Sequence, residues 1–364
     1  MLPFPSLFPN LLTPDATLQG NLTAAIAAVQ GAAPLRASIA LAAIDETVSP
    51  RVYRYAGAGD TDMHYSASLL KVAAMYAAFQ MRKSVNDFGA STPVPIPALF
   101  LTQTAAVFTP QIALAVPSLA TDPEILASPL PVQADVVLTK LDAMFDVSPA
   151  GPTVTFKSTF FDRVKGAIVN SNNLDAAALV KTLGYKWLNG ALEAGGFFTS
   201  GPPPPGVWLA GTFEMGLPNP WPVARINTLN DQGVGQAMTC IDMMKIYALL
   251  DSRQLVDGTS SDEMLDLLRR AQLPTGDPSF LTRSSVLGPG VTVSYDATHT
   301  KIGLGPLKPV NGGFDVSSEG TFIRHRGTSK RFIVVYQNSR NLNPSLSAVS
   351  RIVDKTIRLN LGLS

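Results

Sequence analysis

The sequence predicts an α+β protein in which an antiparallel sheet is flanked by helices and an all-helical domain forms a second body. Strand-like segments lie near both ends of the chain, helical segments fill its middle, and apolar residues make up 46% of its 364 positions. Charged residues make up only 15% of the chain, which indicates a large buried core beneath a weakly charged surface.

Three elements are predicted before residue 83. The first is a helix at 15–31, where DATLQGNLTAAIAAVQG starts with an aspartate and ends with a glycine. The apolar runs at 37–46 and 51–57 are separated by TVSP and predict a hairpin. An alanine-rich run at 64–82, HYSASLLKVAAMYAAFQMR, then predicts a buried helix.

The middle of the chain is predicted to be helical, with one exception. Prolines interrupt 84–158 so often that we expect no long regular element there besides one helix at 134–145. From residue 160 the helical pattern returns, and further helices are predicted at 236–254 and 260–272, the latter capped by a serine.

Strand signals return near the C-terminus. TKIGLG at 300–305 predicts a strand, and the run at 320–339 predicts a hairpin with its turn near Gly327. A last helix is predicted at 343–362.

This order of elements predicts two domains. Residues 1–60 and 285–364 are expected to form the α/β domain together, because strands from both chain ends can share one sheet. Residues 61–284 are expected to form the helical domain, with a proline-rich insertion at about 84–158.

Composition excludes several classes of function. A net charge of +1 gives no electrostatic basis for binding nucleic acid, and no apolar run approaches the ~20 residues of a membrane span. The single cysteine, Cys240, precludes an internal disulfide. The three histidines, His64, His299 and His325, have no metal-ligand spacing, so we expect no metal site. The glycine runs are too short for nucleotide binding, and no other cofactor is expected.

The N-terminal segment does not resemble a secretory signal, because no basic residue precedes Arg36. The protein is therefore expected to be cytoplasmic, or periplasmic or secreted if an export signal has been removed.

The run at 64–82 carries one serine and one lysine three residues apart, Ser68 and Lys71. Positions i and i+3 are neighbours on a helix, so Lys71 can activate Ser68 as a nucleophile if burial keeps part of the amine neutral. The alternative is a helix-starting serine beside a lysine that reaches water. Alone, the pattern is weak, although Ser68 is the only serine in the chain followed by lysine at this spacing.

Two further motifs follow in order. SNN at 171–173 precedes a helical run, and KIG at 301–303 lies on a predicted strand. Each by itself is explained as a helix cap or an exposed strand lysine. Ser-x-x-Lys, Ser-x-Asn and Lys-x-Gly in this order are the signature of penicillin-recognising serine enzymes.

With these motifs the chain resembles the class A β-lactamases and related serine hydrolases over about two thirds of its length. The helices after Ser171, the threonine-led helix near residue 239, and the C-terminal hairpin and helix fit this family as well. The resemblance implies a β-lactamase/transpeptidase-like fold. It also implies a serine hydrolase that forms an acyl-enzyme with a small-molecule or peptidoglycan-like amide, ester or β-lactam.

The resemblance assigns a role to each motif residue. Ser68 would form the acyl-enzyme and Lys71 would take its proton. Ser171 would relay a proton to the leaving group, and Lys301 would keep that relay electrostatically poised. Asn173 would hold a substrate amide.

The resemblance also implies an oxyanion site between the backbone N–H of Ser68 and that of Leu304, which follows Gly303. Such donors contribute about 3 kcal/mol each in acyl transfer.

Two positions depart from the family pattern. Asn172 stands where the family has aspartate, and Ile302 stands where it has threonine or serine. Ile302 removes a hydroxyl that holds the substrate carboxylate in the family. Arg324 or Arg326, which alternate on a predicted strand, is the candidate to bind that carboxylate instead, and a solvated strand face is the alternative.

Deacylation in the family uses a glutamate in a Glu-x-x-Leu-Asn run. FEMGLPNP repeats that run only loosely, with Glu214, Leu217 and Asn219 and an inserted Pro218. Glu214 is therefore either the base that activates water or a structural carboxylate, and we predict slow deacylation.

Three functions follow from these observations. The first is a β-lactamase-like hydrolase, and the second is a D,D-peptidase or esterase that acylates with β-lactams but releases them slowly. The third is a non-catalytic binding protein on the same fold, against which the complete set of Ser68, Lys71, Ser171 and Lys301 argues.

Overall fold

The structure is a computed structural model. It describes residues 3–31, 35–92, 97–115, 125–126, 139–199, 206–211, 213, 225–271, 279–307, 316–339 and 345–363.

The strands of the described residues are, in chain order, β1 Leu12–Pro14, β2 Ser38–Asp45, β3 Val52–Ala58, β4 Ile125–Leu126, β5 Phe145–Val147, β6 Val154–Phe156, β7 Val207–Leu209, β8 Arg225–Thr228, β9 Gln232–Val234, β10 Gln236–Met238, β11 Tyr295–Gly305, β12 Val316–His325 and β13 Arg331–Gln337.

The α-helices of the described residues are α1 Ala16–Gln30, α2 Lys71–Ser91, α3 Phe100–Ala115, α4 Leu141–Met144, α5 Ser158–Ile168, α6 Asn173–Leu183, α7 Tyr185–Ala194, α8 Cys240–Asp251, α9 Gly258–Arg270, α10 Ser284–Leu287 and α11 Leu346–Asn360. Two short 3₁₀ helices, Ala67–Leu70 and Pro97–Leu99, directly precede α2 and α3.

The chain divides into two compact units. The sheet unit contains Pro9–Leu70, Thr228–Gln232 and Ala237–Ser364. The helical unit contains Met1–Phe8, Lys71–Asn227 and Gly233–Gln236.

The sheet unit is built on six strands in the order β1-β3-β2-β13-β12-β11. Each neighbouring pair is antiparallel except β1 with β3. Strands from both chain ends therefore share one sheet, and β11 forms one edge of it. This confirms the predicted antiparallel sheet of an α+β protein.

Helices cover both faces of this sheet. On one face, α1 and α11 pack against a core that includes Ile39, Tyr295 and Ile323. On the other face, Tyr247 of α8 donates from its hydroxyl to the Gly320 carbonyl at 2.8 Å. Because neighbouring residues on a strand face opposite sides, β12 contributes to both layers.

The helical unit is organised around α2. The helix is apolar on nearly every side, and 15 of its 21 residues are buried. The Trp187 indole of α7 donates to the Ala77 carbonyl at 3.0 Å, and the Tyr76 hydroxyl donates to the Ala191 carbonyl at 3.1 Å. These two bonds in opposite directions hold α2 and α7 together.

The prediction for residues 84–158 was wrong in one respect. Helix α2 runs on to Ser91, and α3 covers 16 residues, Phe100–Ala115, although Pro110 lies inside it. A proline removes one hydrogen bond but does not end a helix that buries one face, as α3 does with Phe100, Thr104, Phe108 and Ile112. Of the helix predicted at 134–145, Leu141–Met144 is helical, and 134–138 lie outside the described residues.

No helix among the described residues combines the length and the apolar character that crossing a membrane requires.

Candidate active site

The Lys71 amine, at the start of α2, is enclosed by the helical unit. Its Nζ donates to the Ser171 carbonyl oxygen and to Asn173 Oδ1, both at 2.7 Å. The Phe213 ring covers the same amine, with its centroid 5.2 Å from Nζ. Lys71 itself has 0% exposure, whereas Ser171 and Asn173 are partly exposed. Three of the predicted site residues therefore meet around an amine that is shielded from water.

The SNN motif is shaped by a helix cap. Asn172 is the N-cap of α6, and its Oδ1 accepts from the backbone N–H groups of Leu174 and Asp175 at 2.8 and 3.1 Å. Asparagine caps helices about as well as aspartate, so either residue type at position 172 would stabilise the start of α6. Ser171, just before the cap, has a φ of 53°, which turns its carbonyl out of the helical path.

Burial lowers the pKa of Lys71 to about 7, and the nearby Asp175 opposes this shift. The loss of hydration disfavours the ammonium form, and neither the Ser171 carbonyl nor the Asn173 amide carries a compensating charge. A substantial fraction of the amine is therefore neutral at physiological pH.

Ser68 lies in the sheet unit, on the 3₁₀ turn that leads directly into α2. Its side chain is half-buried, between the buried Ala67 and Leu69. Ala67 has a φ of 50°, a left-handed conformation that costs a residue with a Cβ roughly 1–3 kcal/mol. Strain of this kind persists only where surrounding contacts maintain the conformation. The strained residue directly precedes the predicted nucleophile.

Strand β11 passes against this turn at Gly303. A Cβ at that position would lie 2.2 Å from the Ser66 carbonyl oxygen and 2.9 Å from the Leu69 backbone nitrogen. Only glycine allows so close an approach of two backbones. The glycine of the KIG motif therefore brings the last part of β11 beside the turn that carries Ser68.

A β-bulge determines which face of the sheet Lys301 occupies. Thr298 pairs with Phe322, but Lys301 pairs with Gly320, so two residues, His299 and Thr300, oppose one. The extra residue inverts the alternation of β11. Without it, Lys301 would share the face of the α1 and α11 core; with it, Lys301 lies on the face of Gly303 and Ser318.

The remaining predicted site residues lie elsewhere on the sheet or outside the described part of the chain. Ile302 and Leu304 are half-exposed on the edge strand β11. Arg324 donates to Ser329 Oγ at 2.8 Å in the β12–β13 turn, and Arg326 is paired with Asp296 at 2.9 Å. The structure does not place either arginine beside Gly303, since Gly303 pairs with Ser318 and Arg324 lies six residues further along β12. Glu214 lies outside the described residues.

Two residues of the Lys71 site were missed by the sequence reasoning. Phe213 directly precedes Glu214 in the loosely matching run. The family motif begins at the glutamate, so it gives Phe213 no role. Asp175 lies in the first turn of α6, where an acidic residue is explained by the helix dipole alone. Neither position has a sequence signal of its own.

The three histidines stand apart from other possible metal ligands in the described part of the chain. Burial lowers the pKa of His64 to about 4, so its imidazole is neutral at physiological pH. Among the described residues, no three His, Cys, Asp or Glu side chains are grouped so that they could hold a metal ion.

Solved structures with similar folds cover nearly the whole chain. A class A β-lactamase from Bacteroides cellulosilyticus superposes with a TM-score of 0.52 at 11% identity, over 94% of this chain and 99% of that one. A β-lactamase from Sphaerobacter thermophilus gives 0.46 at 15% identity, over 94% and 96%. PBP-A, solved as an acyl-enzyme with penicillin G, gives 0.47 at 12% identity, over 96% and 99%.

The chain has a β-lactamase-like fold, as the three ordered motifs predicted. No family model and no curated protein sequence matches the chain. Sequence identities this low establish a similar fold and leave the activity to the residues of the site.

Proposed function

We propose that this protein is a serine hydrolase that forms an acyl-enzyme at Ser68 with β-lactams or related amides and esters. The observation that carries the proposal is the environment of Lys71. A neutral amine has two N–H bonds and one lone pair, and the Ser171 carbonyl and Asn173 Oδ1 accept both N–H bonds. The lone pair is then left to accept a proton, which a general base for Ser68 requires.

The chemistry follows from these groups. Ser68 Oγ attacks the acyl carbon and gives its proton to Lys71 Nζ, three residues ahead on the same helical segment. The C–N or C–O bond of the substrate then breaks, and the leaving nitrogen or oxygen receives the proton through the Ser171 hydroxyl. Lys301 supplies positive charge to this relay, and the Asn173 amide nitrogen donates to the substrate.

The oxyanion of the tetrahedral intermediate would be held by the backbone N–H groups of Ser68 and Leu304. The support for this assignment is the close backbone approach at Gly303, one residue before Leu304. Gly303 of the KIG motif would thus allow β11 to pack closely against the turn and would also place the Leu304 N–H at the oxyanion.

The pH dependence of acylation tests the role of Lys71. We expect the acylation rate to rise with pH through an apparent pKa near 7 and to level off above it, because only the neutral amine can accept the proton. Below that pKa the rate should fall about tenfold per pH unit. The measurement is the second-order acylation rate from pH 5 to 9 with an uncharged activated ester, whose own ionisation cannot contribute. A rate that does not change between pH 6 and 8 would contradict this role for Lys71.

Deacylation is proposed to be slow. Within the described residues, the groups in contact with Lys71 Nζ are a carbonyl, an amide and an aromatic ring, and the support for slow deacylation is that no carboxylate is among them. The inserted Pro218 in the run that contains Glu214 is a second reason, since a displacement of even an ångström can cost about 10²-fold.

The expected result with penicillin G is an adduct that accumulates over minutes and decays slowly, followed by intact-protein mass. Turnover of a chromogenic cephalosporin by the unmodified protein and by Glu214→Gln separates the alternatives. Rapid turnover by the unmodified protein contradicts slow deacylation. If Glu214→Gln then traps the adduct, Glu214 is the deacylating base. If the adduct accumulates and Glu214→Gln changes nothing, a D,D-peptidase or esterase is supported.

A further inference from the structure

The segment that leads into Ser68 is held in a conformation that it would not adopt alone. Ala67 has a φ of 50°, although alanine carries a Cβ that disfavours the left-handed region. Ser66 and Ala67 are both buried, at 0% and 3% exposure. Contacts from elsewhere in the sheet unit must therefore keep this turn in place.

Ser66 is bound at both its side chain and its carbonyl. Its Oγ donates to Gln337 Oε1 at 2.5 Å, with a longer contact to the His64 carbonyl at 3.2 Å. Its carbonyl oxygen accepts from Ser318 Oγ, also at 2.5 Å. Two strands of the sheet, β13 and β12, thus hold the residue just before the strained one.

The amide of Gln337 joins two points of the segment. While its Oε1 accepts from Ser66, its Nε2 donates to the Asp62 carbonyl at 2.9 Å. The two contacts assign the orientation of the amide, because a hydroxyl donor faces its oxygen and a carbonyl acceptor faces its nitrogen. Gln337 is the last residue of β13 and has 0% exposure, so water does not compete for either bond.

The residues between these two points are also secured through their backbone. His64 exchanges both backbone hydrogen bonds with Met238, each at 3.0 Å. Tyr65 donates from its N–H to Asn230 Oδ1 at 2.9 Å and accepts at its carbonyl from Asn230 Nδ2 at 3.1 Å. Residues 62–66 therefore reach the turn along a defined path, and the Gln337 amide spans that path from end to end.

We propose that Gln337 is a positioning residue for the nucleophile: it holds Ser66, which keeps Ala67 in its left-handed conformation and so orients the Ser68 hydroxyl. The proposal rests on the proposed function, because it takes Ser68 as the nucleophile. Gln337 lies 269 residues beyond Ser68 in the sequence, and it acts through Ser66 without touching the substrate.

The test compares Gln337→Met, which keeps the volume but loses both hydrogen bonds, with Tyr336→Phe as the matched control. Tyr336 is the neighbouring residue on β13, and its buried hydroxyl donates to Glu319 Oε2 at 3.1 Å on the opposite face of the sheet. We expect Gln337→Met to lower the first-order acylation constant 10- to 100-fold, with the dissociation constant of the non-covalent complex unchanged. Tyr336→Phe should leave both constants unchanged, even if it lowers Tm as much as Gln337→Met does.

A double-mutant cycle that combines Gln337→Met with Ser66→Ala tests whether Gln337 acts through its hydrogen bond to Ser66. If Gln337 acts through Ser66, the double variant should acylate no more slowly than the slower single variant. Losses that multiply in the double variant, or a Gln337→Met variant that acylates within twofold of the unmodified protein, would overturn the proposal.

Hydrogen–deuterium exchange of residues 62–70 keeps the two proposals separable. Gln337→Met should accelerate exchange in this segment at least tenfold, and Tyr336→Phe should not. If the unmodified protein forms no adduct at all, the proposed function fails and the positioning role fails with it. If it does form one, accelerated exchange without slower acylation overturns the positioning role alone.

Discussion

Ser68→Ala is expected to abolish covalent labelling by penicillin G and by an activated ester, which is the largest effect that we predict for any single substitution. Removing Oγ removes the atom that bonds to the acyl group, and no neighbouring group can replace it on the 3₁₀ turn Ala67–Leu70. The substitution leaves Ala67, Leu69 and Leu70 untouched, so the buried anchors of this turn are retained. The measurement is intact-protein mass after exposure, with peptide mapping of any adduct.

Ser66→Ala is not a suitable control here, because Ser66 holds the turn. Ser91→Ala is better matched, since Ser91 lies at the far end of α2 and is exposed. It should label at the rate of the unmodified protein. An adduct mapped to a residue other than Ser68, or turnover that survives in Ser68→Ala, would contradict the assignment of the nucleophile.

Lys71→Ala is expected to slow acylation by 10²- to 10⁴-fold while the protein remains folded. This is the usual effect of removing a positioned proton acceptor. Lys71→Met should be measured together with Lys71→Ala, because methionine fills the space of the buried aliphatic chain and removes only the amine. Both variants should lose the rise of the acylation rate with pH through an apparent pKa near 7, since that rise reports the Lys71 amine.

Lys83→Ala is the control for charge and helix position. Lys83 lies on the same helix, paired with Asp87 at 2.7 Å, and both side chains are partly exposed. Pairs of this kind contribute about 0–1 kcal/mol, so stability and acylation should stay close to those of the unmodified protein. A Lys71→Met variant that acylates as fast as Lys83→Ala would exclude Lys71 as the base.

Much of the sheet unit could be predicted because its elements carry local signals. Asp15 and Gly31 bracket α1, as the sequence indicated. The last helix, predicted at 343–362, covers Leu346–Asn360 and is capped by Ser345. Helix boundaries were missed where two signals compete. The helix predicted from residue 236 begins at Cys240, because Thr239 is the better cap and Gln236–Met238 forms a strand. Similarly, Asp257 caps α9 in place of the predicted serine.

The motifs named candidate site residues, and the structure joins three of them, Lys71, Ser171 and Asn173. Other contacts between distant segments could not be predicted. Nothing in the local sequence pairs Gln337 with Ser66, because such a contact depends on strand order. Phe213 over Lys71 is of the same kind. In each case the residue type is ordinary and the position in the fold gives it its role.

The bulge in β11 also determines where this chain can tolerate a change in length. Because His299 and Thr300 together oppose Thr321, loss of either one would leave Lys301 opposite Gly320 and Gly303 opposite Ser318. Loss of Ile302, by contrast, would move Gly303 to the other face and put a side chain against the Ser66 carbonyl. Related chains one residue shorter should therefore have their gap before the lysine of the KIG motif, and an alignment that places it after the lysine would misassign every later residue of the strand.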